Sequence, residues 1–370
     1  MQTLIDKIDE IKQHGTFRTL EIPVGFDFSS NDYLGLSQNL NIKKKLADFL
    51  LSSNTRLGST GSRLISGQNK YYVETEKFIS ELFTSESALI FGSGYLANLG
   101  VMLALGGSEA EFFSDELNHA SIIDGIKLSR TQVNIFKHND LSHLENLLKK
   151  SNVKRKIIVT ESIFSMDGDS ANIKALVELA EKFDAFLVLD EAHATGIKGE
   201  LGLGESKRFH KKYEKLISVH TCSKALGTYG AFVISNKLIR DLMINCSRSF
   251  IYSTGLPPVI VLNIRYSLEE LLNNYHLVET INENSHWFKQ KLNLSSLNNN
   301  SSNIVPIIVG NEKKVMQVAS HMKEKGFHVR GIRYPTVAKG SERLRVTIKA
   351  FHTKELISTF INHLIESLNE

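Results

Sequence analysis

Residue types that would indicate several protein classes are scarce in this sequence. Two of the 370 residues are cysteine and five are proline. Cys222 and Cys246 form no Cys-x-x-Cys pair, which excludes a disulfide scaffold and is typical of a cytosolic protein. So few prolines exclude Pro-rich linkers. The net charge is only +4, so we expect no nucleic-acid partner.

Long hydrophobic runs are also lacking, with one candidate exception. Residues 87–108 carry no charge and approach the ~20 residues that a membrane helix needs. Because Gly92 and Gly94 interrupt this run, it favours a buried strand at Ala88–Phe91, a turn, and a buried helix from about Tyr95. The first 14 residues mix charged and apolar positions at helical spacing, unlike a signal peptide. We therefore expect no membrane partner and a cytoplasmic location.

Short apolar runs alternate with amphipathic stretches through the middle of the chain. The predicted strands are Ala88–Phe91, Glu111–Ser114, Gln132–Phe136, Lys156–Thr160, Phe186–Leu189, Leu216–His220 and Ala231–Ser235. The predicted helices between them are Leu96–Leu105, His119–Leu128, Asp140–Lys149 and Ile173–Lys182. This alternation predicts an α/β fold with a mostly parallel central sheet flanked by helices.

The last third of the sequence predicts a smaller α/β domain. A helical stretch at Pro257–Leu292 is followed by an Asn-rich loop at Asn298–Asn303. The remaining predicted elements are strands at Ile304–Val309, His328–Ile332 and Leu344–Ile348, and helices at Glu312–Lys325 and from Thr353. We predict an N-terminal arm (1–35), a large domain (36–255) and a small C-terminal domain (256–370).

Two motif-based functions can be set aside. Asp190-Glu191-Ala192-His193 matches the acidic box of a helicase group, but nucleotide-driven motors also need the G-x-x-x-x-G-K-[ST] loop. The sequence contains no such loop and no H-E-x-x-H, and its histidines are scattered. We therefore expect neither a nucleotide motor nor a metal site.

A glycine turn at Gly92-Ser93-Gly94-Tyr95 comes before a predicted helix. The N–H groups at a helix N-terminus bind phosphate well, although a tight turn alone would also explain the glycines. The dinucleotide fingerprint needs a third glycine and a downstream acid. Ala97 stands in the third position, so a nicotinamide cofactor is set aside.

Two basic features have both a functional and an ordinary interpretation. Lys224 lies between an apolar strand and a glycine-spaced segment, and a lysine packed in such surroundings becomes a usable amine. A solvated loop lysine is the alternative. Arg343 and Arg345 alternate along a predicted strand and so share one face. They indicate a carboxylate clamp or a surface pair.

The order of these motifs is more specific than any one of them. A glycine turn suited to phosphate comes first, an acid (Asp190) ends an apolar strand, and a loop lysine (Lys224) follows. Pyridoxal 5′-phosphate (PLP) needs these three elements, because it carries a phosphate, a ring nitrogen that an acid keeps protonated, and an aldehyde that takes an amine.

On these motifs the chain resembles the α-oxoamine synthases, a family of fold-type I PLP-dependent transferases. The resemblance runs from about residue 26 to 352 and is carried by Phe28–Leu36, Gly58–Arg63, Asn118–Ser121, Phe164–Asp169, Asp190–His193, the Lys224 loop, Tyr252–Thr254 and Arg333–Val337. Three features depart from the family pattern, and one of them is Ala231, which follows Gly230 where two glycines are common. Thr60 replaces a glycine, and the segment between Arg18 and Phe26 is shorter than usual.

The resemblance implies a role for each matching residue. Lys224 would form the Schiff base with the cofactor and remove the substrate Cα proton, Asp190 would pair with the ring nitrogen, and His119 would stack on the ring. The other cofactor contacts implied are His193 to the ring oxygen, Ser93, Gly94, Tyr95 and Thr221 to the phosphate, Ser165 beside the ring, and Ser253 and Thr254 to the phosphate of the neighbouring subunit. The substrate contacts implied are Asn31 and Arg345 to the amino-acid carboxylate, His119, and Arg18, Arg333 and Thr336 on the acyl side.

The implied reaction is a decarboxylative condensation of L-alanine with a pimeloyl thioester in biotin biosynthesis. The thiol carrier would be coenzyme A or acyl carrier protein, and the enzyme a homodimer with shared active sites. Sister enzymes that join glycine to acetyl-CoA, or another amino acid to a long acyl chain, are the nearest alternatives. A non-enzymatic transcription sensor would need a helix-turn-helix domain, for which we expect no room before the large domain.

Overall fold

The computed structural model describes residues 1–13, 16–294 and 302–369. Contacts divide the chain into two units. The larger unit comprises Asn31–Asn303 and Ile348–His352, and the smaller unit comprises Met1–Ser30, Ile304–Thr347 and Thr353–Glu370. Positions 298–301 of the predicted Asn-rich loop lie outside the described residues.

Strands and helices alternate along most of the chain. The strands are β1 (Phe26–Asp27), β2 (Ser87–Phe91), β3 (Ala110–Asp115), β4 (Gln132–Phe136), β5 (Arg155–Glu161), β6 (Phe186–Asp190), β7 (Leu216–Thr221), β8 (Ala231–Ser235), β9 (Ile304–Ile308), β10 (Phe327–His328), β11 (Arg330–Ile332) and β12 (Arg343–Thr347). The helices are α1 (Gln2–Gln13), α2 (Leu40–Ser52), α3 (Lys70–Leu82), α4 (Gly94–Leu105), α5 (Ala120–Ser129), α6 (Leu141–Lys150), α7 (Ile173–Lys182), α8 (Lys237–Cys246), α9 (Arg248–Ile251), α10 (Pro258–Asn273), α11 (His276–Lys291), α12 (Glu312–Glu324) and α13 (Lys354–Asn369).

The larger unit is built on a seven-stranded sheet of order β2-β8-β7-β6-β5-β3-β4. Only β8 runs antiparallel to its neighbours. The central strands are apolar along their length because helices cover both faces: Val188 and Ile217 belong to one buried cluster, and Leu187 and Leu189 to another. The predicted mostly parallel α/β architecture is confirmed.

The carboxyl ends of the parallel strands meet at one edge of this sheet. Glu161 on β5 pairs in register with Asp190 on β6, and Thr221 ends β7 beside Ala231. Helices α4 and α5 begin in the loops that leave β2 and β3. In an open α/β sheet, ligands bind outside the carboxyl ends of the strands, so a ligand site is expected at this edge.

The smaller unit contains an antiparallel sheet of order β11-β12-β9 and a short parallel pair, β1 with β10. The ring of Phe360 on α13 stacks on Phe28 with centroids 4.1 Å apart. The strand predicted at His328–Ile332 is wrong as one element. The chain changes partner at Val329, since β10 pairs with β1 and β11 with β12.

The helical stretch predicted at Pro257–Leu292 is two helices, α10 and α11. The break falls at Asn274, whose side-chain Nδ2 donates to the Glu270 carbonyl and ends α10. Contacts place both helices in the larger unit. The sequence analysis instead assigned residues 256–303 to the C-terminal domain. Its division of the chain into an arm, a large domain and a small domain stays a prediction. Within the described residues, no helix combines the length and the apolar character needed to cross a bilayer.

Candidate active site

Lys224 lies in a chain of hydrogen bonds in the larger unit. Its Nζ is 2.7 Å from Nε2 of His193, and Nδ1 of His193 is 2.6 Å from the hydroxyl of Tyr33. That hydroxyl donates to Oδ1 of Asn31 at 3.1 Å. Tyr33 is fully buried and His193 is 4% exposed, so the imidazole is held firmly beside the lysine.

Asp190 is fixed at the end of β6 by two donors. Nδ2 of Asn98 donates to its Oδ2 at 2.7 Å, and the backbone N–H of Ala192 donates to its Oδ1 at 2.8 Å. The same Asn98 amide donates to Oγ of Ser121 at 2.9 Å, whereas Asn98 Oδ1 is buried with no hydrogen-bond partner among the described residues. Asp190 is therefore a positioned carboxylate in polar surroundings.

His119 begins α5 as its N-cap. Its Nδ1 accepts from the backbone N–H of Ser121 at 3.2 Å and lies 2.8 Å from that residue's hydroxyl. Desolvation lowers the pKa of His119, the Asp190 carboxylate raises it, and the charge of Lys224 lowers it again, with a net lowering. A neutral, flat imidazole suits a residue that stacks on an aromatic ring.

Glu161 is a second buried carboxyl group beside Asp190. Burial raises its pKa well above the usual value of 4.5, and the charge of Asp190 raises it further. Two neighbouring carboxylates in a buried place do not both ionise, so Glu161 carries the proton. Asp190 is the member of the pair that receives the two hydrogen bonds described above.

The start of α4 forms a cradle against the end of β7. Gly94 approaches Thr221 so closely that an added Cβ would lie 3.1 Å from the Thr221 hydroxyl. Ser93 caps the helix by accepting from the N–H of Leu96 at 3.2 Å, and Tyr95 donates its hydroxyl to Asp124. Free N–H groups, a hydroxyl and a helix dipole in one place fit a phosphate.

Ser165 lies in a turn that an Asp–His–Asp cluster holds. The ring of His138 bonds Asp115 at 2.9 Å through Nδ1 and Asp169 at 2.8 Å through Nε2. It also packs edge-on against Phe164, with centroids 4.4 Å apart. Because His138 bonds both Asp115 at the end of β3 and Asp169 in the turn, the cluster holds the Phe164–Asp169 turn against β3.

The remaining predicted residues divide between the two units. Ser253 and Thr254 belong to the larger unit, where Thr254 is exposed and bridges Ser62. Arg18, Arg333 and Thr336 line a cavity of about 530 Å³ in the smaller unit.

Arg343 and Arg345 both lie on β12 in the smaller unit. They are 6% and 7% exposed, so the surface-pair interpretation is wrong. Since a buried guanidinium needs partners, the two arginines are structurally constrained rather than solvated.

Three residues of this constellation were not predicted from the sequence, namely Tyr33, Asn98 and Glu161. A signal existed for each. Tyr33 lies in a family-matching segment, Asn98 follows Gly94 by one helical turn, and Glu161 ends an apolar strand as Asp190 does. Their contacts with His193 and Asp190 depend on strand order, which the sequence pattern does not contain.

Comparison with known proteins agrees with this geometry. The family model described as aminotransferase class I and II matches residues 23–364. A variant of serine palmitoyltransferase from S. paucimobilis, solved with a bound PLP–myriocin aldimine, superposes with a TM-score of 0.88 at 24% identity, and the match covers 99% of this chain and 96% of that one. The chain therefore belongs to the aminotransferase class I and II family, and the predicted fold of the fold-type I PLP-dependent transferases is confirmed.

Two further comparisons indicate a particular kind of enzyme within this family. A protein from Aquifex aeolicus, provisionally named 8-amino-7-oxononanoate synthase, is 39% identical over 373 residues, covering 100% of this chain and 99% of its own length. The crystal structure of 8-amino-7-oxononanoate synthase from Francisella tularensis superposes with a TM-score of 0.79 at 26% identity, covering 93% and 98%. The predicted resemblance is confirmed, and the chain is an enzyme related to these synthases.

Proposed function

We propose that this enzyme uses PLP to condense L-alanine with a pimeloyl thioester, giving 8-amino-7-oxononanoate, CO₂ and the thiol carrier. One observation carries the proposal: Lys224, His193, Asp190 and the α4 cradle lie along the carboxyl-end edge of one sheet. The names of the full-length relatives support the particular product.

The residues present fit the cofactor, which is PLP. Asp190, held by the Asn98 amide and the backbone N–H of Ala192, would pair with a protonated ring nitrogen. The cradle of Gly94 and Thr221 would hold the phosphate, His193 would bond the ring oxygen, and Lys224 would supply the amine. When bound, PLP withdraws electrons from the Cα of the amino acid and so stabilises a carbanion there.

The chain's own groups then direct the reaction. Lys224 Nζ, as a neutral amine, takes the Cα proton of alanine. Asn31 and Arg345 bind the alanine carboxylate, and His119 covers one face of the cofactor ring. The new C–C bond joins Cα to the thioester carbonyl carbon as the C–S bond breaks, the thiolate takes a proton from solvent, and the carboxylate departs as CO₂. Lys224 returns the proton.

The cavity of the smaller unit supplies the acyl subsite in this proposal. Arg18, Arg333 and Thr336 line it, and the guanidinium of Arg333 is 3.5 Å from the carboxylate of Glu312. A guanidinium suits a carboxylate or a phosphate, so Arg18 and Arg333 suit the terminal carboxylate of a pimeloyl thioester or the phosphate of its carrier. The enzyme works as a cytoplasmic homodimer in which Ser253 and Thr254 reach the partner's phosphate.

An assay of purified enzyme with alanine, glycine and serine, each with pimeloyl-CoA, pimeloyl-acyl carrier protein, acetyl-CoA and palmitoyl-CoA, tests the substrates. We expect product and CO₂ from alanine with a pimeloyl thioester. Turnover only with glycine and acetyl-CoA, or with serine and palmitoyl-CoA, would instead identify a sister α-oxoamine synthase.

Substitution Lys224→Ala tests the catalytic amine. We expect a loss of kcat of at least about 10³-fold, because this residue serves both as the cofactor's amine and as the base. Lys211→Ala, which alters an exposed lysine, is the matched control. Retention of wild-type absorbance and turnover by Lys224→Ala would refute the assignment.

A further inference from the structure

Arg63 and Glu76 form a buried ion pair in the larger unit. Nη1 and Nη2 of Arg63 donate to Oε1 and Oε2 of Glu76 at 2.5 and 3.0 Å. The two residues are 9% and 6% exposed. Two parallel hydrogen bonds between a guanidinium and a carboxylate fix the orientation of both groups, so the pair is a rigid point in this unit. The proposed function gives neither residue a role.

The ion pair is attached to the backbone of β2. Arg63 Nη1 donates to the Ile90 carbonyl at 3.2 Å, and Glu76 Oε1 accepts from the Ile90 N–H at 2.8 Å. Because β2 is the first strand of the sheet order, its outward backbone groups need partners from outside the sheet. On its other side Ile90 is in register with Phe232 on β8. The central sheet therefore fixes the place of the ion pair.

Other contacts of Arg63 lead to the connecting segment, residues 252–257, which joins α9 to α10. The guanidinium carbon lies 3.9 Å from the centroid of the Tyr72 ring, and the Tyr72 hydroxyl accepts from the Leu256 N–H at 2.5 Å. Gly255 packs against both side chains, since an added Cβ would lie 3.3 Å from the Tyr72 hydroxyl and 3.4 Å from Cγ of Arg63. Arg63 and Tyr72 together hold this segment.

The connecting segment contains neither a helix nor a strand. Thr254 forms an isolated bridge with Ser62, the residue before Arg63. The position of the segment therefore depends on such single contacts, whereas that of β2 is set by the sheet. In the proposed function this segment presents Ser253 and Thr254 to the partner's phosphate.

We propose that Arg63 is a positioning residue for the cofactor site of the partner subunit, because it holds the connecting segment where Ser253 and Thr254 reach the partner's phosphate. This role rests on the proposed function and its shared sites. Since Ile90 is fixed by the sheet, weakening the ion pair displaces the connecting segment rather than β2. The effect is then felt in the other active site of the dimer.

Substitution Arg63→Lys tests the role in the homodimer. Lysine keeps the charge but loses the two-pronged contact and the flat group over Tyr72. We expect half-maximal activity to need about tenfold more PLP, as for loss of one hydrogen bond to the phosphate, with kcat at saturating PLP near the wild-type value. Arg155→Lys changes another partly buried arginine, which donates to the Gly106 carbonyl at 3.1 Å, and should need no more PLP than the wild type. Melting curves show whether both variants are folded.

Mixed dimers, isolated with a different tag on each chain, separate this role from a merely structural one. In the first dimer one chain carries Arg63→Lys and the other carries Lys224→Ala. Activity then reports the site with the intact lysine, which receives Ser253 and Thr254 from the chain with wild-type Arg63. We expect this dimer to need no more PLP than a dimer of wild type and Lys224→Ala.

The second mixed dimer is the converse, with Arg63→Lys and Lys224→Ala in one chain and a wild-type partner chain. The intact site now receives its phosphate contacts from the altered chain, so we expect it to need about tenfold more PLP. A weak first dimer with a normal second one would show that Arg63 acts within its own subunit, and equal PLP requirements in the two dimers would likewise overturn the proposal. If the wild-type homodimer binds no PLP and forms no product, it is the proposed function that fails.

Discussion

At the residue scale, two neighbouring carboxyl groups of the site have different surroundings. Asp190 receives two hydrogen bonds, whereas Glu161 beside it is held protonated by burial and by the charge of Asp190. The cofactor nitrogen needs one anion, and two adjacent charges would cost free energy without partners. Burial therefore keeps Glu161 from adding a second negative charge to the site.

His138 shows the opposite behaviour and makes a pH prediction. Desolvation lowers its pKa, but the bonds to Asp115 and Asp169 outweigh this and raise the pKa to about 10. Because the unfolded pKa is near 6.5, protonated His138 stabilises the fold fully below pH 6.5. This contribution is lost as the pH rises from 6.5 to about 10.

Denaturant unfolding of the wild type and His138→Asn tests this prediction. We expect the wild type to be more stable at pH 6.5 and its advantage to shrink toward pH 10. His276→Asn, which changes an exposed histidine, is expected to show no such pH-dependent difference. A wild-type advantage that grows with pH would show that His138 is not charged in the folded enzyme.

At the element scale, the side chains of the site lie at strand ends and helix starts, and one loop contains a strained backbone conformation. Thr60 departs from the glycine of the family pattern, yet its φ is +56°. Left-handed backbone costs an L-residue about 1–2 kcal/mol, most for a β-branched side chain. At Thr60 the motif segment Gly58–Arg63 therefore keeps the left-handed backbone conformation that glycine adopts without strain.

Substitution Thr60→Gly should stabilise the enzyme by about 1 kcal/mol, the relief of strain being partly offset by the larger entropy of glycine in the unfolded chain. Unfolding by urea, with unchanged slope, measures this gain. Thr84 also has a positive φ, +52°, and Thr84→Gly should behave alike. A loss of stability at both positions would refute the strain argument.

At the scale of the whole molecule, the proposed homodimer with shared active sites predicts that two inactive variants complement each other. Lys224→Ala removes the amine, and the double variant Ser253→Ala/Thr254→Ala removes the groups that we propose reach the partner's phosphate. In a mixed dimer one site has both sets of wild-type residues. After random exchange of subunits, activity should recover to about a quarter of the wild-type value, since half of the dimers are mixed and each has one intact site.

Activity measured before and after partial unfolding and refolding of the mixture tests this prediction. Each variant treated alone is the control and should stay weakly active. No recovery in the mixture, with mixed dimers shown by mass spectrometry of tagged subunits, would mean that the sites are not shared.

Much of this enzyme could be read directly from its sequence. Apolar runs with strand and helix spacing predicted the central sheet, because this periodicity is local. The acid at the end of β6, the loop lysine and the glycine turn were predicted as a cofactor set, because each has a short sequence context. Motifs along the chain then identified the family.

Tertiary structure alone decided which distant residues meet. Tyr33 contacts His193 across 160 positions, and Glu161 lies beside Asp190 because β5 and β6 are neighbours in register. The split of the predicted strand at Val329 likewise reflects a change of partner. Local periodicity specifies elements, whereas strand order and burial, which follow from the path of the whole chain, determine partners and protonation states.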